Sequence, residues 1–399
     1  MENKYYQYMY YIMVLFALAS NIAPAATSVA IVLGSILVVY HRVTLKKWPE
    51  FDAGFLKAFG IYFLVWFVIA LNSLDVVVSI KDVFATFYRI FPLFFVMTCI
   101  REKKQLKNIL IAFAVSVIIT DIAATWQVLH HITRPQGLSS VATVFGTNML
   151  MAIAVMGAAA ADNSFSKRCR AFFLATMFYA FFILIATQTR GAWIGFAFMA
   201  CLVVLLYPMN RKRVLGGLAG LLVVIALIFG MSSSMQARVN TIMDLKYQSN
   251  SERLLMWQSS WEIIKDYPVW GIGPDEFKLV YNTRYISPLA KERPIPGDLD
   301  TGHGHPHNNF LKRLTEGGIV GGMAFLLLNI YIFVRLVRRY RESVNKKTIN
   351  WFAFAGIILF AGVHVSGLTD ANFISVPMMR ELWFLIGLAM IADNVGCND

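Results

Sequence analysis

The sequence predicts an all-α polytopic membrane protein with about twelve transmembrane helices. Apolar residues make up 58% of the 399-residue chain and charged residues only 15%. The mean hydropathy is +0.59. Apolar runs near the ~20 residues needed to cross a hydrocarbon core recur along the chain. A water-soluble fold has too little interior to bury this much apolar surface, so lipid must solvate most of it.

The runs fall at 6–23, 25–40, 54–72, 83–100, 108–128, 143–161, 171–187, 191–207, 214–231, 317–335, 350–368 and 377–393. Their orientation follows from the basic residues between them. Alternate connections carry Arg42, Lys46 and Lys47; Arg101, Lys103, Lys104 and Lys107; Lys167, Arg168 and Arg170; and Arg211, Lys212 and Arg213. The last carries Arg335, Arg338, Arg339, Arg341, Lys346 and Lys347. The other short connections hold only Lys81, Arg134 and Arg190. The positive-inside rule makes the basic side cytoplasmic and places both termini there. The chain then divides into helices one to nine over 1–230, a large outer loop over 231–316, and three closing helices over 317–399.

The formal net charge of +13 fits this topology. It does not signal nucleic-acid binding, because no stacking platform or basic stripe accompanies it. Cys99, Cys169, Cys201 and Cys397 form no CxxC pair, which argues against a disulfide framework or a thiolate metal site. The first apolar run follows Lys4 without a convincing small-residue cleavage site and reads as a retained helix.

The outer loop has structure of its own. Ser251 is placed to cap a helix whose Leu254, Trp257, Trp261 and Ile264 share a face. Pro268 ends that helix, residues 270–274 form a turn, and 276–281 suit a second short helix. Pro288, Pro294, Pro296 and Gly297 then mark an irregular stretch suited to a mobile lid. Three histidines, His303, His305 and His307, close the loop just before the next apolar run.

Several ionisable residues are candidates for chemistry. Arg190, in Thr187-Gln188-Thr189-Arg190-Gly191, is either a snorkelling interfacial cation or a phosphate anchor. A guanidinium fork binds phosphate oxygens in pairs, and Gly191 would let the backbone approach closely. Arg253 is either a solvated helix residue or a second anchor near a helix N-terminus. Arg89, within the fourth helix, is a buried structural partner or a substrate contact, and Lys81 is a weaker candidate on the same helix. Asp370, in the last outer turn, can cap that turn, orient a base or bind a sugar hydroxyl. The histidines can ligate a metal, cap the following helix, or supply a general base. The metal reading is weakened because residues two apart on a helix point in different directions and no carboxylate sits at a useful offset.

Together these features resemble the lipopolysaccharide O-antigen ligase and O-antigen polymerase superfamily. The matching elements are the helix count, the large outer loop, the Thr-x-Thr-Arg-Gly turn and an Arg-x-x-x-Trp helix ending in Pro-x-x-Gly-x-Gly. To these is added His307-Asn308 followed by Gly318 and Gly321. The resemblance implies a metal-independent, inverting glycosyltransferase of the GT-C kind with no cofactor. Its donor would be O-antigen linked to undecaprenyl diphosphate, and its acceptor lipid A–core. Arg190 and Arg253 would hold the diphosphate. His307 would be the base, with His305 in reserve, and Asn308, Gly318 and Gly321 would seat it. The enzyme would lie in the bacterial inner membrane, among its lipids, with the site on the periplasmic side. An O-antigen polymerase, or a transferase to a protein or another polymer, shares the same parts. A carrier of lipid or polysaccharide is the alternative of a different class. It is disfavoured by the lack of matched halves and by a charged site in an outer loop instead of mid-membrane.

Overall fold

A computed structural model describes residues 2–207, 233–242, 247–288, 304–346 and 348–391, together with 212, 215–217, 219, 220, 226, 230 and 244. Among them every regular element is helical. The order is α1 (Glu2–Ala19), α2 (Pro24–Leu45), α3 (Ala53–Leu71), α4 (Val76–Tyr88), α5 (Phe91–Cys99), α6 (Lys103–Leu129), α7 (Ala142–Ala161), α8 (Lys167–Ala186) and α9 (Arg190–Leu206). After the partly described 208–232 come α10 (Ser233–Asn240), α11 (Gln248–Asp266) and α12 (Phe277–Val280), the last running into a π turn at Tyr281–Tyr285. The chain closes with α13 (Asn309–Asn345), α14 (Trp351–Ser366), a 3-10 turn at Asn372–Ile374 and α15 (Val376–Ile391).

Seven helical stretches among the described residues are long and apolar enough to cross a membrane: α2, α3, α4 together with α5, α6, α7, α8 and α13. The helices α9 and α14 are apolar but shorter. The protein is thus an all-α polytopic membrane protein. The surface of α2 shows how these helices meet lipid. Val32, Ile36, Val39 and Val43 are exposed at alternating spacings of four and three, an apolar stripe facing outward. By contrast α15 is buried on every side, without interruption from Met378 to Ile391. It packs against α5, α7 and α14 as a central post. Apolar side chains gain little from leaving lipid, so close van der Waals contact holds such a post in place.

Two expected spans need correction. The fourth, expected unbroken over 83–100, begins at Val76, where Asp75 accepts from the amides of Val77 and Val78. It then breaks after Tyr88, because Pro92 has no N–H to continue the ladder and the helix restarts at Phe91. Arg89 therefore sits in a break, not within a helix. The tenth span, expected from 317, begins at Asn309, and the chain bends at Gly318 (φ 58°, ψ −159°). The ninth expected span, 214–231, lies largely outside the described residues.

The two ends of the bundle differ in charge. At one end Lys47 pairs with Glu2 at 2.9 Å, and Arg101 stacks 3.6 Å from the Tyr6 ring. There too Arg335 pairs with Asp52 at 2.7 Å, and the Tyr340 hydroxyl donates to Leu206 O. This gathers basic connections from well-separated parts of the sequence on one side. The opposite end is built from the α6–α7 and α8–α9 connections, α10 to α12, the residues before α13, and the α14–α15 turn.

The bend at Gly318 joins the outer loop to the bundle. In a regular helix the amides of Ile319 and Val320 would donate to Thr315 O and Glu316 O. Here both bonds are open and all four groups are paired with the loop. Ile319 N and Val320 N donate to Pro268 O and Val269 O, while Ile272 N and Gly273 N donate to Thr315 O and Glu316 O. A side chain at 318 would put its Cβ 2.3 Å from Val269 O, so glycine is required both for φ and for the contact. We predict that Gly318→Ala destabilises the purified protein by at least about 2 kcal/mol, from backbone strain plus this clash. Gly304→Ala, which meets nothing within 4 Å, serves as control. Thermal unfolding in detergent reads both, and equal midpoints for the two variants would refute the role given to the bend.

Candidate active site

The α8–α9 turn places Arg190 as the first residue of α9. The residue is buried, at 7% exposure, yet no carboxylate pairs with it among the described residues. Its Nη1 donates to Thr241 O (2.7 Å) and Thr241 Oγ1 (3.2 Å), and its Nη2 to Ser249 Oγ (3.4 Å). The guanidinium also lies 5.5 Å from the Tyr247 ring centre. Arg190 is thereby locked to the link between α10 and α11. Gly191 does allow a close approach, but by the protein itself: its Cβ would lie 2.8 Å from Thr369 Oγ1. The turn before α15 packs there.

Arg253 lies in the second turn of α11. That helix starts at Gln248 after Tyr247, not at a Ser251 cap, and the Ser251 hydroxyl instead donates to Gln248 O. Its buried face also differs from the expected one. Met256, Ser259, Ser260 and Ile263 point inward, whereas Leu254 and Trp261 are exposed. The reason is the partner. Met256 and Ile263 form a small core with Ile272, Phe277, Val280 and Tyr281 from the segment that folds back beneath α11. Packing against that segment chose the face, whatever the helical periodicity allowed.

The histidine turn is held from three directions. Trp257 Nε1 donates to Pro306 O at 2.7 Å. Asn308 caps α13, its Oδ1 accepting from the amides of Phe310 and Leu311, and its Nδ2 donates to Leu368 O. Asn309 N donates to Gly367 O, and Asn309 Oδ1 accepts from Phe373 N. The helix-capping role considered for a histidine thus belongs to Asn308. Within this frame His307 adopts φ 48°, a left-handed conformation costing on the order of 1–3 kcal/mol for a non-glycine residue. The surrounding bonds hold it there.

The two described histidines are not equivalent. His307 N donates to His305 Nδ1 at 3.3 Å. A backbone amide can only donate, so His305 Nδ1 is the acceptor nitrogen and is committed to the turn. His307 turns its Nδ1 edge toward Asp370 Oδ1 at 3.4 Å, a long contact. That leaves Nε2, on the far edge of the ring, as the basic nitrogen when Nδ1 carries the proton. His303 lies outside the described residues, as does 289–303, where the mobile lid was expected.

Asp370 joins the histidine to the arginines. Burial acts to raise its carboxyl pKa, but the hydrogen bond and charge of His307, with the charges of Arg253 and His305, outweigh it. The group is held below the usual carboxylate value. Burial works against the charge of Arg253, and Arg238 adds repulsion. Arg190, Arg253, Asp370, His305 and His307 therefore share one charged neighbourhood. Arg89 does not belong to it. Its Nη1 donates to Ile374 O at 3.2 Å, and its charged neighbours are Asp82, Arg313 and Asp275. Lys81 is exposed on α4.

Two arginines that sequence reasoning left aside do belong. Arg134 Nε donates to Thr187 O, and Arg238 Nε donates to Gln188 O. Arg134 carried a signal as one of the few basic residues in the short outer connections, whereas Arg238 lies in the long loop among many other basic residues.

The depressed Asp370 pKa has a consequence for stability. A carboxyl with a lower pKa in the folded state contributes stability that is present above its unfolded value and lost as pH falls through the folded one. Asp370→Asn should therefore cost about 1–3 kcal/mol near neutral pH, the range for a hydrogen bond to a charged group. The gap should close as pH drops below about 4. Unfolding midpoints of both proteins between pH 7 and pH 3 test this, and a gap that persisted through acid would refute it.

No curated protein matches the chain. Residues 175–326 match the family model described as O-antigen ligase. The matched stretch contains Arg190, Arg238, Arg253, His305, His307 and the Gly318 bend. This match supports the chain's membership of the O-antigen ligase and polymerase superfamily, whose members are glycosyltransferase-like enzymes.

Proposed function

We propose that the protein is an O-antigen ligase that transfers O-antigen from undecaprenyl diphosphate to lipid A–core. The observation that carries this reading is the convergence of Arg190 and Arg253 with the His307–Asp370 pair at one end of the bundle. That end lies opposite the basic connections. By the positive-inside rule it is periplasmic, with both termini in the cytoplasm of a bacterium and the helices in its inner membrane. Residues 231–316 then form the outer loop between the helices of 1–230 and those of 317–399.

The roles follow from the chemistry. Arg190 and Arg253 hold the diphosphate, and guanidinium groups supply the cationic charge it needs. Asp370 Oδ1, on the Nδ1 edge of His307, orients the ring so that Nε2 faces away from it. His307 Nε2 takes the proton from the acceptor hydroxyl as the hydroxyl oxygen attacks the anomeric carbon. The bond from that carbon to the diphosphate oxygen breaks, its electron pair leaves with the diphosphate, and the carbon inverts. Diphosphate is already a good leaving group, so alignment, one base and charge stabilisation are what the site must supply. His305, tied to the turn through Nδ1, keeps the loop in shape.

His307→Ala should lower transfer by about 10²–10⁴-fold, the usual contribution of a general base, while leaving donor binding in place. The test uses purified protein, a defined diphosphate-linked glycan and lipid A–core, with product analysis. Full ligation by a folded His307→Ala variant would sink the assigned role. Glycan chains that lengthen on the lipid without reaching lipid A–core would make the protein a polymerase.

A further inference from the structure

A polar layer lies inside the helix bundle, apart from the charged site. Its floor is aromatic: the Phe384 ring of α15 lies 5.2 Å from Phe16 of α1 and 6.3 Å from Phe113 of α6, centre to centre. One turn farther toward the outer end of each helix, the buried residues become polar. They are Ser20 and Asn21 where α1 ends, Ser116 of α6 and Glu381 of α15, joined by Asn148 of α7. Asn148 Nδ2 donates to Asn21 Oδ1 at 3.3 Å, and Asn21 Nδ2 donates to Ser116 Oγ at 3.5 Å. The Asn21 side chain also adjoins the Glu381 carboxyl. These amides leave a shortage of donors. Glu381 Oε1, Glu381 Oε2 and Asn148 Oδ1 are sealed from solvent with no hydrogen-bond partner among the described residues. Glu381 is fully buried and Asn148 is 3% exposed. The adjacent Arg380 does not serve Glu381, because successive helix residues point roughly 100° apart. Arg380 Nη1 instead donates to Pro24 O (3.0 Å) and Thr27 Oγ1 (2.8 Å), with its guanidinium 4.8 Å from the Tyr88 ring centre.

An acceptor oxygen buried without a donor is costly, and an ionisable side chain inside a membrane bundle calls for a partner. We propose that the Glu381 carboxylate and the side-chain carbonyl of Asn148 bind a sodium ion inside the bundle, beside Asn21 and Ser116. Carboxylate, amide and hydroxyl oxygens are hard donors, suited to alkali and alkaline-earth cations. Charge decides between those two classes. One carboxylate neutralises one positive charge, so a divalent ion would leave net charge buried among apolar helices. No group of three His, Cys, Asp or Glu side chains gathers among the described residues to hold such an ion. Sealing of the three oxygens from solvent favours a small ion stripped of its water. The layer is reached from the outer end: Asn21 belongs to the α1–α2 turn, and Thr120, one turn outward of Ser116, accepts from Leu138 N in the α6–α7 connection. A sodium ion there ties the outer parts of α1, α7 and α15 together, and α15 begins just after the Asp370 turn. The proposal stands independently of the transferase reading.

The experiment unfolds full-length protein in lipid nanodiscs by heat at fixed pH, with sodium chloride exchanged stepwise for choline chloride at constant ionic strength. The wild-type midpoint should rise by about 1–2 °C for each tenfold increase in sodium once the site begins to fill. Potassium in place of sodium should give a smaller rise. Glu381→Gln keeps the shape of the side chain and removes its charge, and should abolish the sodium dependence. Asn148→Ala removes one ligand and should lower sodium affinity about tenfold, moving the onset of the rise to higher concentration; it carries the comparison if Glu381→Gln does not fold. Radioactive sodium should be retained by wild type and lost from Glu381→Gln. A midpoint that does not respond to sodium means a protonated carboxyl at 381 and overturns the proposal. A sodium dependence that Glu381→Gln keeps, or an onset that Asn148→Ala leaves in place, overturns it as well.

Discussion

Backbone polarity in an apolar setting is the constraint on which the outer end of this protein depends. A helix passing through lipid can leave its hydrogen-bond ladder open only where protein groups close it again. At Gly318 two helical bonds are open, and the segment 268–273 supplies all four missing partners. The carboxylate of Glu316 adds to the joint by accepting from Lys312 Nζ and Asp275 N. Breaking this joint would leave several unpaired polar groups at the membrane edge, each costing several kcal/mol (about 4–8 in a fully apolar medium). The loop is thereby fixed to the bundle by backbone chemistry, which depends on glycine at 271 and 318, where a Cβ would meet the facing backbone.

That joint explains how residues far apart in sequence meet. From Arg253 to Pro268 is roughly 22 Å of helix, and from His307 to Gly318 roughly 16 Å, at the 1.5 Å rise per residue. The two helices α11 and α13 are joined near the bend, and Trp257 Nε1 on Pro306 O ties them again at the other end. Arg253 and His307 stand beside this second tie. Trp257 follows Arg253 by four residues, one helical turn, so the residue that holds the histidine turn and the arginine lie on the same stripe of α11. A shift of α11 therefore moves Arg253 and the His307 turn together.

Much of this was legible in the sequence because lipid imposes strong demands. Each helix needs an unbroken apolar run, and α3, α7, α8 and α9 fall within a few residues of their expected spans. His307, Asn308, Gly318 and Gly321 were legible as a spaced group, and the positive φ at Gly318 and the cap at Asn308 give physical reasons for that spacing. What was not legible depended on packing between segments. The face of α11 was misread because Leu254, Trp257, Trp261 and Ile264 are as periodic as Met256 and Ile263, and only the core formed with Phe277 and Tyr281 decides between them. The break at Arg89 had a local signal in Pro92, but an apolar run on both sides hid it. Arg134 and Arg238 gave no local pattern, since their meaning lies in two adjacent carbonyls of a third segment.

The electrostatics of the site are best understood as an incomplete set. Buried charges in proteins are ordinarily paired within the fold, as Lys312 and Arg313 are with Glu316. That group is structural, two buried cations sharing one buried carboxylate. The arginines around Asp370 depart from that pattern: Arg190 is buried and Arg238 and Arg253 are half-buried, none paired with a carboxylate among the described residues, while Arg134 is exposed and Asp370 is drawn toward His307. On the proposed reading, an incoming anion supplies the counterion that these arginines lack among the described residues. The same arrangement makes Asp370 more than a partner for the histidine. By keeping one fixed negative charge in the group it limits the mutual repulsion of the arginines, and on the proposed reading a phosphate-bearing lipid would complete the set.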